Sequence, residues 1–199
     1  MLEAIADLSG LPVSGGGRNE LGARHGPEQT SLLSKVLRPA FGKRPPDGYF
    51  LRAEFHAHFS SLLDERAADQ DFERDPFTRY GGRSLHAQSH GEAFLSVVLH
   101  RMERGLFLLD EPEAALSPRR LLALLARMAD LVAEGQTQFI VATHSPILLT
   151  HPEAEIFSFD ESPPRRVALE DTSHYQITRG ILESPERYGR ALLAPDADD

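Results

Sequence analysis

Asp110 and Glu111 stand side by side after the apolar run Leu106-Phe107-Leu108-Leu109 and just before Pro112. Such a run suits a parallel strand covered on both faces, and the proline stops the ladder just past its carboxyl end. In open α/β sheets, ligands sit at that end of the strands. Successive strand residues point opposite ways, so one carboxylate can hold a divalent cation while its neighbour addresses a water. An acidic turn leading into a helix N-terminus would use the same residues for a purely structural reason.

Two other segments could work with this pair. In Ser84-Leu85-His86-Ala87-Gln88-Ser89-His90-Gly91-Glu92, a hydroxyl and a glycine stand at the N-terminus of an amphipathic helix. Exposed N–H groups and the helix dipole suit such a place to a phosphate. Ser89 with Glu92 three residues later is also the pattern of a capping box. The third segment, Phe139-Ile140-Val141-Ala142-Thr143-His144-Ser145-Pro146, is a β-rich strand that ends in a histidine. An imidazole there could hydrogen-bond a terminal phosphate oxygen or an attacking water, and the alternative is a strand-end histidine bonded to backbone.

The elements that must carry these groups are legible in the periodicity. Leu2 to Leu8 is a helix ending at Gly10, and Gly15 to Gly48 is a Gly- and Pro-rich surface stretch with a helical piece over Ser31 to Leu37. A strand over Tyr49 to Phe55 leads into a helix from His58 to Ala67 and a charged segment up to Arg79. From Tyr80 the units are regular: helix Ser89 to Arg104 with Phe94, Leu95, Val98 and Met102 inward, strand Leu106 to Leu109, helix Pro118 to Glu134, strand Gln138 to Ala142. A hairpin of Glu155 to Phe159 with Arg166 to Leu169 turns at Ser162-Pro163-Pro164, and helices over Tyr175 to Leu182 and Glu186 to Leu193 close the chain. Alternating strands and helices with short connections imply an α/β fold, a mainly parallel sheet with helices on both faces. One domain of 199 residues is expected, with an N-terminal lobe over 1–79, a core over 80–193 and an acidic tail, 194–199, expected to be disordered.

Composition narrows the classes. There is no cysteine, hence no disulfide framework and no thiolate metal site, and no apolar run approaches the roughly 18 residues of a membrane span. The N-terminus lacks the basic flank of a signal peptide, so a cytoplasmic location is expected. A net charge of −9 argues against a broad basic face for nucleic acid, although Arg119-Arg120 and Arg165-Arg166 leave local patches. His56-Ala57-His58 offers two ligands for a metal but no third group close by, and no Gly-x-Ser-x-Gly elbow is present.

Taken together, the three segments resemble the ATP-binding-cassette branch of P-loop ATPases, in particular small bacterial ATPases of the AAA family. Leu106 to Glu111 is similar to the Walker B strand, Ala115 to Pro118 to the D-loop, Ser89 to Glu92 to the signature motif and His144 to the switch histidine, in the same order and spacing. The resemblance implies a P-loop NTPase-like fold that binds and hydrolyses ATP with Mg2+. It gives Asp110 the magnesium, Glu111 the attacking water and His144 the γ-phosphate. Ser89 and Gly91, with Glu92 in the same motif, are implied to meet the nucleotide of a second subunit, in a head-to-tail homodimer or a dimer with a complete ATPase. Glu54 falls where the family has its Q-loop glutamine.

The chain departs from the family at one place. The phosphate loop G-x-x-x-x-G-K-[ST] does not occur: Gly42-Lys43 is followed by Arg44, and Gly15-Gly16-Gly17 by Arg18. Met1-Leu2-Glu3-Ala4-Ile5-Ala6 is similar to the helix that follows this loop in the family, which reads as a chain beginning just after it. The expectation is a sheet lacking its first strand, with exposed backbone groups beside it, and weak nucleotide binding by these residues alone. A catalytically inactive short form, acting as a nucleotide-dependent regulatory or binding subunit, is the alternative to an active ATPase.

Overall fold

The computed structural model describes residues 1–18, 32–42, 44–52, 64, 67–68, 77–78, 82, 84 and 87–193, and they divide into two compact units, Met1–Thr143 and His144–Asp199. The first unit is built on a four-stranded sheet: β1 (Gly16–Gly17), β2 (Gly48–Arg52), β3 (Gly105–Asp110) and β4 (Thr137–Ala142), in that spatial order. β2, β3 and β4 run parallel, and β1 is antiparallel to β2. The mostly parallel, helix-covered sheet implied by the alternating pattern is therefore present, and it is compatible with a P-loop NTPase-like fold.

β3 is the strand whose side chains are most completely removed from water. Gly105 to Leu109 are all buried, because the run Leu106-Phe107-Leu108-Leu109 has apolar groups for both faces. On one face, Leu106 and Leu108 pack with Phe50 of β2, with Ile140 and Ala142 of β4, and with Leu2, Ile5 and Ala6 of helix α1 (Leu2–Ser9). Gly10 ends α1 in the left-handed conformation that a side chain disfavours, and its N–H returns to Asp7 O. On the other face the odd-numbered residues alternate outward, and the Phe107 and Phe139 rings meet at 5.4 Å. Helices α2 (His90–Arg101) and α3 (Pro118–Ala133) supply further core residues: Phe94, Val97, Val98, Leu121, Leu124, Met128 and Leu131.

α2 is shorter than the periodicity implies, since Met102 has already left helical geometry. Of the four residues expected inward, Phe94, Val98 and Met102 are fully buried, whereas Leu95 is only half-buried and Val97 takes its place. The apolar stripe thus runs through 94, 97, 98 and 102, the spacing of one helical face, and Leu95 lies one step off it. β4 is the last strand of the sheet among the described residues, and Phe139, Ile140 and Val141 are only half-buried.

The amino ends of the strands are closed by a buried cation. Arg101 Nη1 donates to Asp47 Oδ2 at 2.9 Å and its guanidinium lies 5.6 Å from the Tyr49 ring centre. Gly105, at φ 127°, leaves room for the Asp47 carbonyl, which a Cβ would strike.

The second unit contains the short helix α4 (Pro146–Leu149), the hairpin β5 (Ile156–Ser158) and β6 (Arg165–Val167), and helices α5 (Ser173–Glu183) and α6 (Pro185–Leu193). The hairpin and both helices fall where the sequence implies, with the strands trimmed to three antiparallel pairs. Gly180 allows the Tyr188 phenol to lie against α5, where a Cβ would collide with it.

Candidate functional site

The carboxyl end of β3 carries the two acids in distinct environments. Asp110 is the last strand residue, half-buried, and sits in register between Arg52 of β2 and Ala142 of β4. It belongs to the same face as Leu106 and Leu108, the side covered by α1. Arg52 Nε stands 3.3 Å from Asp110 Oδ2, and Arg52 Nη1 donates to Glu3 Oε1 in the first turn of α1 at 3.0 Å. The side chains of Asp110 and Arg52 are 29% and 26% exposed, so water still screens the pair and its contribution stays near the upper end of surface values, about 1 kcal/mol.

Glu111 is exposed and adopts φ 47°, ψ 53°, the one left-handed non-glycine residue among those described. Pro112 disfavours the right-handed helical region for the residue before it. Backbone bonds hold Glu111 in the alternative: its N–H donates to Ala142 O at 2.9 Å, and its carbonyl accepts from Ala114 N–H at 3.0 Å. A side chain in this region costs about 1 kcal/mol or more, and such residues gather at functional sites. The turn is tied to the end of β4 a second time by Thr143 Oγ1, which donates to Glu113 Oε1 at 2.8 Å.

The N-terminus of α2 is organised around Ser89 and Glu92. The Glu92 carboxylate accepts from Ser89 N–H at 2.9 Å and from Ser89 Oγ–H at 2.6 Å, the half of the capping box that satisfies the cap residue. Arg120 of α3 lies 3.4 Å from both Ser89 Oγ and a Glu92 oxygen. The Ser89 hydroxyl, then its backbone N–H, with a smaller effect of the Arg120 charge, hold the Glu92 carboxyl below the usual glutamate range against slight desolvation. Gly91 is buried, and a Cβ there would stand 2.8 Å from Ala115 O and 2.5 Å from Arg120 Nη1. The residues after β3 and the start of α2 are therefore in van der Waals contact, which requires glycine at 91.

His144 is the first residue of the second unit and follows Thr143 directly in the chain. Its Nδ1 lies 3.2 Å from His174 Nε2 at the start of α5, with the rings edge-on at 4.9 Å between centres. One nitrogen of this contact must carry the proton and the other accept it.

Within the first unit, Asp110 and Glu111 share a strand end, and Ser89, Gly91 and Glu92 share a helix end packed on the loop after them. Glu54, His56 and His58 lie outside the described residues. Sequence reasoning did not find Arg52, Glu3, Arg120, Glu113 or His174. For Arg52 a signal was present, a charged residue ending the buried strand Tyr49-Phe50-Leu51, but its partner could be named only once β2 was known to neighbour β3.

Residues 84–150 match the family model described as "AAA domain, putative AbiEii toxin, Type IV TA system". That stretch, less than half of the chain, contains α2, β3, α3 and β4 and supports a P-loop AAA-type, nucleotide-binding, ATPase-like domain. No curated protein matches the chain. No described helix is long and apolar enough to cross a membrane. Magnesium ordinarily takes one or two carboxylates, leaving its other positions to phosphates and waters, and Asp110 fits such a ligand in type and exposure. Among the described residues no group of three or more acids and histidines could hold a metal unaided.

Proposed function

We propose that this chain is an ATP-binding-cassette-like ATPase domain that works as a head-to-tail dimer around two nucleotides. The reading is carried by the paired acids at the carboxyl end of the buried parallel strand β3, the second of them in a strained left-handed conformation, within the stretch matching an AAA model. Asp110 holds Mg2+, which when bound neutralises charge between the phosphate oxygens of ATP. Glu111, exposed at the turn after the strand, orients or deprotonates the attacking water. His144 contacts the γ-phosphate, with Nδ1 committed to His174. Ser89, Gly91 and Glu92, at an N-terminal helix end that favours anions, serve the nucleotide of the second copy, and Glu54 takes the Q-loop position. Catalysis in such a site is positioning and charge stabilisation, with no covalent enzyme intermediate.

The deciding experiment is Glu111→Gln in the full protein, with ATP binding and hydrolysis measured side by side. Hydrolysis falls by about a hundredfold or more while binding persists, as expected for removal of the group that handles the water. Hydrolysis unchanged by the substitution overturns the reading.

One observation favours a second reading: these 199 residues contain no G-x-x-x-x-G-K-[ST]. On that reading the chain is a regulatory or binding subunit that lends Ser89 and Gly91 to a complete ATPase. Glu111→Gln then leaves the activity of the mixed dimer unaltered.

A further inference from the structure

Arg52 is placed by the fold where a cation would compete with any metal at Asp110. The two residues are register partners at the carboxyl ends of adjacent parallel strands, and both have side chains on the face covered by α1. The guanidinium meets two carboxylates from different elements, Asp110 Oδ2 through Nε at 3.3 Å and Glu3 Oε1 through Nη1 at 3.0 Å, and lies 5.6 Å from the Phe50 ring centre. Arginine keeps its charge at any ordinary pH, and its fork of donors can serve both acids at once. A magnesium ion would bind a carboxylate oxygen at about 2.1 Å, which brings two like-signed cations against the same small group.

We propose that Arg52 is the resident counter-cation of Asp110, and that a divalent cation takes Asp110 only by displacing it. The displaced guanidinium does not lose its partner, because Glu3 retains it. Arg52 therefore has two positions, shared between both acids or held by Glu3 alone, and the cation selects the second. The proposal rests on the reading of Asp110 as a cation ligand, and its test separates the two.

The probe is Mn2+ alone, followed by loss of the free-ion electron paramagnetic resonance signal, for the wild type, Arg52→Gln, Asp110→Asn and the double variant. Arg52→Gln binds about fivefold more tightly than the wild type, the scale of one partly screened ion pair, and Asp110→Asn abolishes the gain. Equal affinity of wild type and Arg52→Gln, with Asp110→Asn weakening both, overturns the role of Arg52 and leaves Asp110 as the ligand. Binding indifferent to Asp110→Asn in every background sinks the reading of Asp110 itself. A measurement on the wild type covers the case in which Arg52→Gln does not fold: the Arg52 Nε–Hε nuclear magnetic resonance signal moves during a Mg2+ titration. If the Asp110 backbone amide moves and that signal does not, the exchange does not occur.

Discussion

Glu111 is held in a backbone conformation that its own side chain disfavours, and the turn around it supplies the restraint through Ala142, Ala114 and the Thr143–Glu113 bond. Glycine at this position would lose the strain and regain part of the cost as unfolded-chain entropy. Glu111→Gly is accordingly expected to raise the unfolding free energy by about 0.5–1 kcal/mol in urea titrations while removing the carboxylate. A destabilised Glu111→Gly would mean that the side chain, not the turn, fixes this geometry. Glu92 offers a second test at the same scale. Its folded-state carboxyl titrates lower than in the unfolded chain, so its contribution is fully present above the ordinary glutamate range and is lost as pH falls through the folded value. Thermal melts of the wild type and Glu92→Gln should differ at neutral pH and converge in acid. That cap was readable from Ser89 and Glu92 three residues apart. The Arg120 contact was not, because it depends on how α3 crosses the start of α2.

The elements that present these residues were legible wherever side chains alternate or recur with helical spacing. β3 and β4, α2 and α3 announce themselves by apolar period and by the prolines that open or close them. β1 did not, since two glycines carry no side-chain pattern and their pairing with Tyr49 and Phe50 is a property of the backbone alone. The junction between α2 and the loop after β3 is where packing is least forgiving. Gly91 lies so close to the Ala115 carbonyl that a methyl group must push one element away from the other. Gly91→Ala is expected to cost about 1–3 kcal/mol of stability, read from the shift of the urea midpoint. A neutral result would show that the helix end can retreat, and would place the reason for glycine in ligand contact instead.

At the scale of the molecule, length and composition bounded the chain as a globular protein with a substantial core, but they could not divide it. The structure divides into two compact units with the boundary at Thr143 and His144, inside the segment Phe139 to Pro146 that joins strand and histidine in the sequence. A break in contact density leaves no mark on apolar periodicity, which runs smoothly through Val141, Ala142 and the Ser-Pro turn. The parallel sheet and its helices were therefore predictable, whereas the division into two compact units was not. Tyr49 turns this partition into something a fluorimeter can follow. The chain has no tryptophan to quench or swamp tyrosine emission, and the Tyr49 ring is 2% exposed beneath Arg101 in the first unit, while Tyr175 and Tyr188 lie in the second. Exchanging those two and Tyr80, the fourth tyrosine of the sequence, for phenylalanine would leave Tyr49 as a built-in optical reporter on the core of the larger unit, with no dye or label attached.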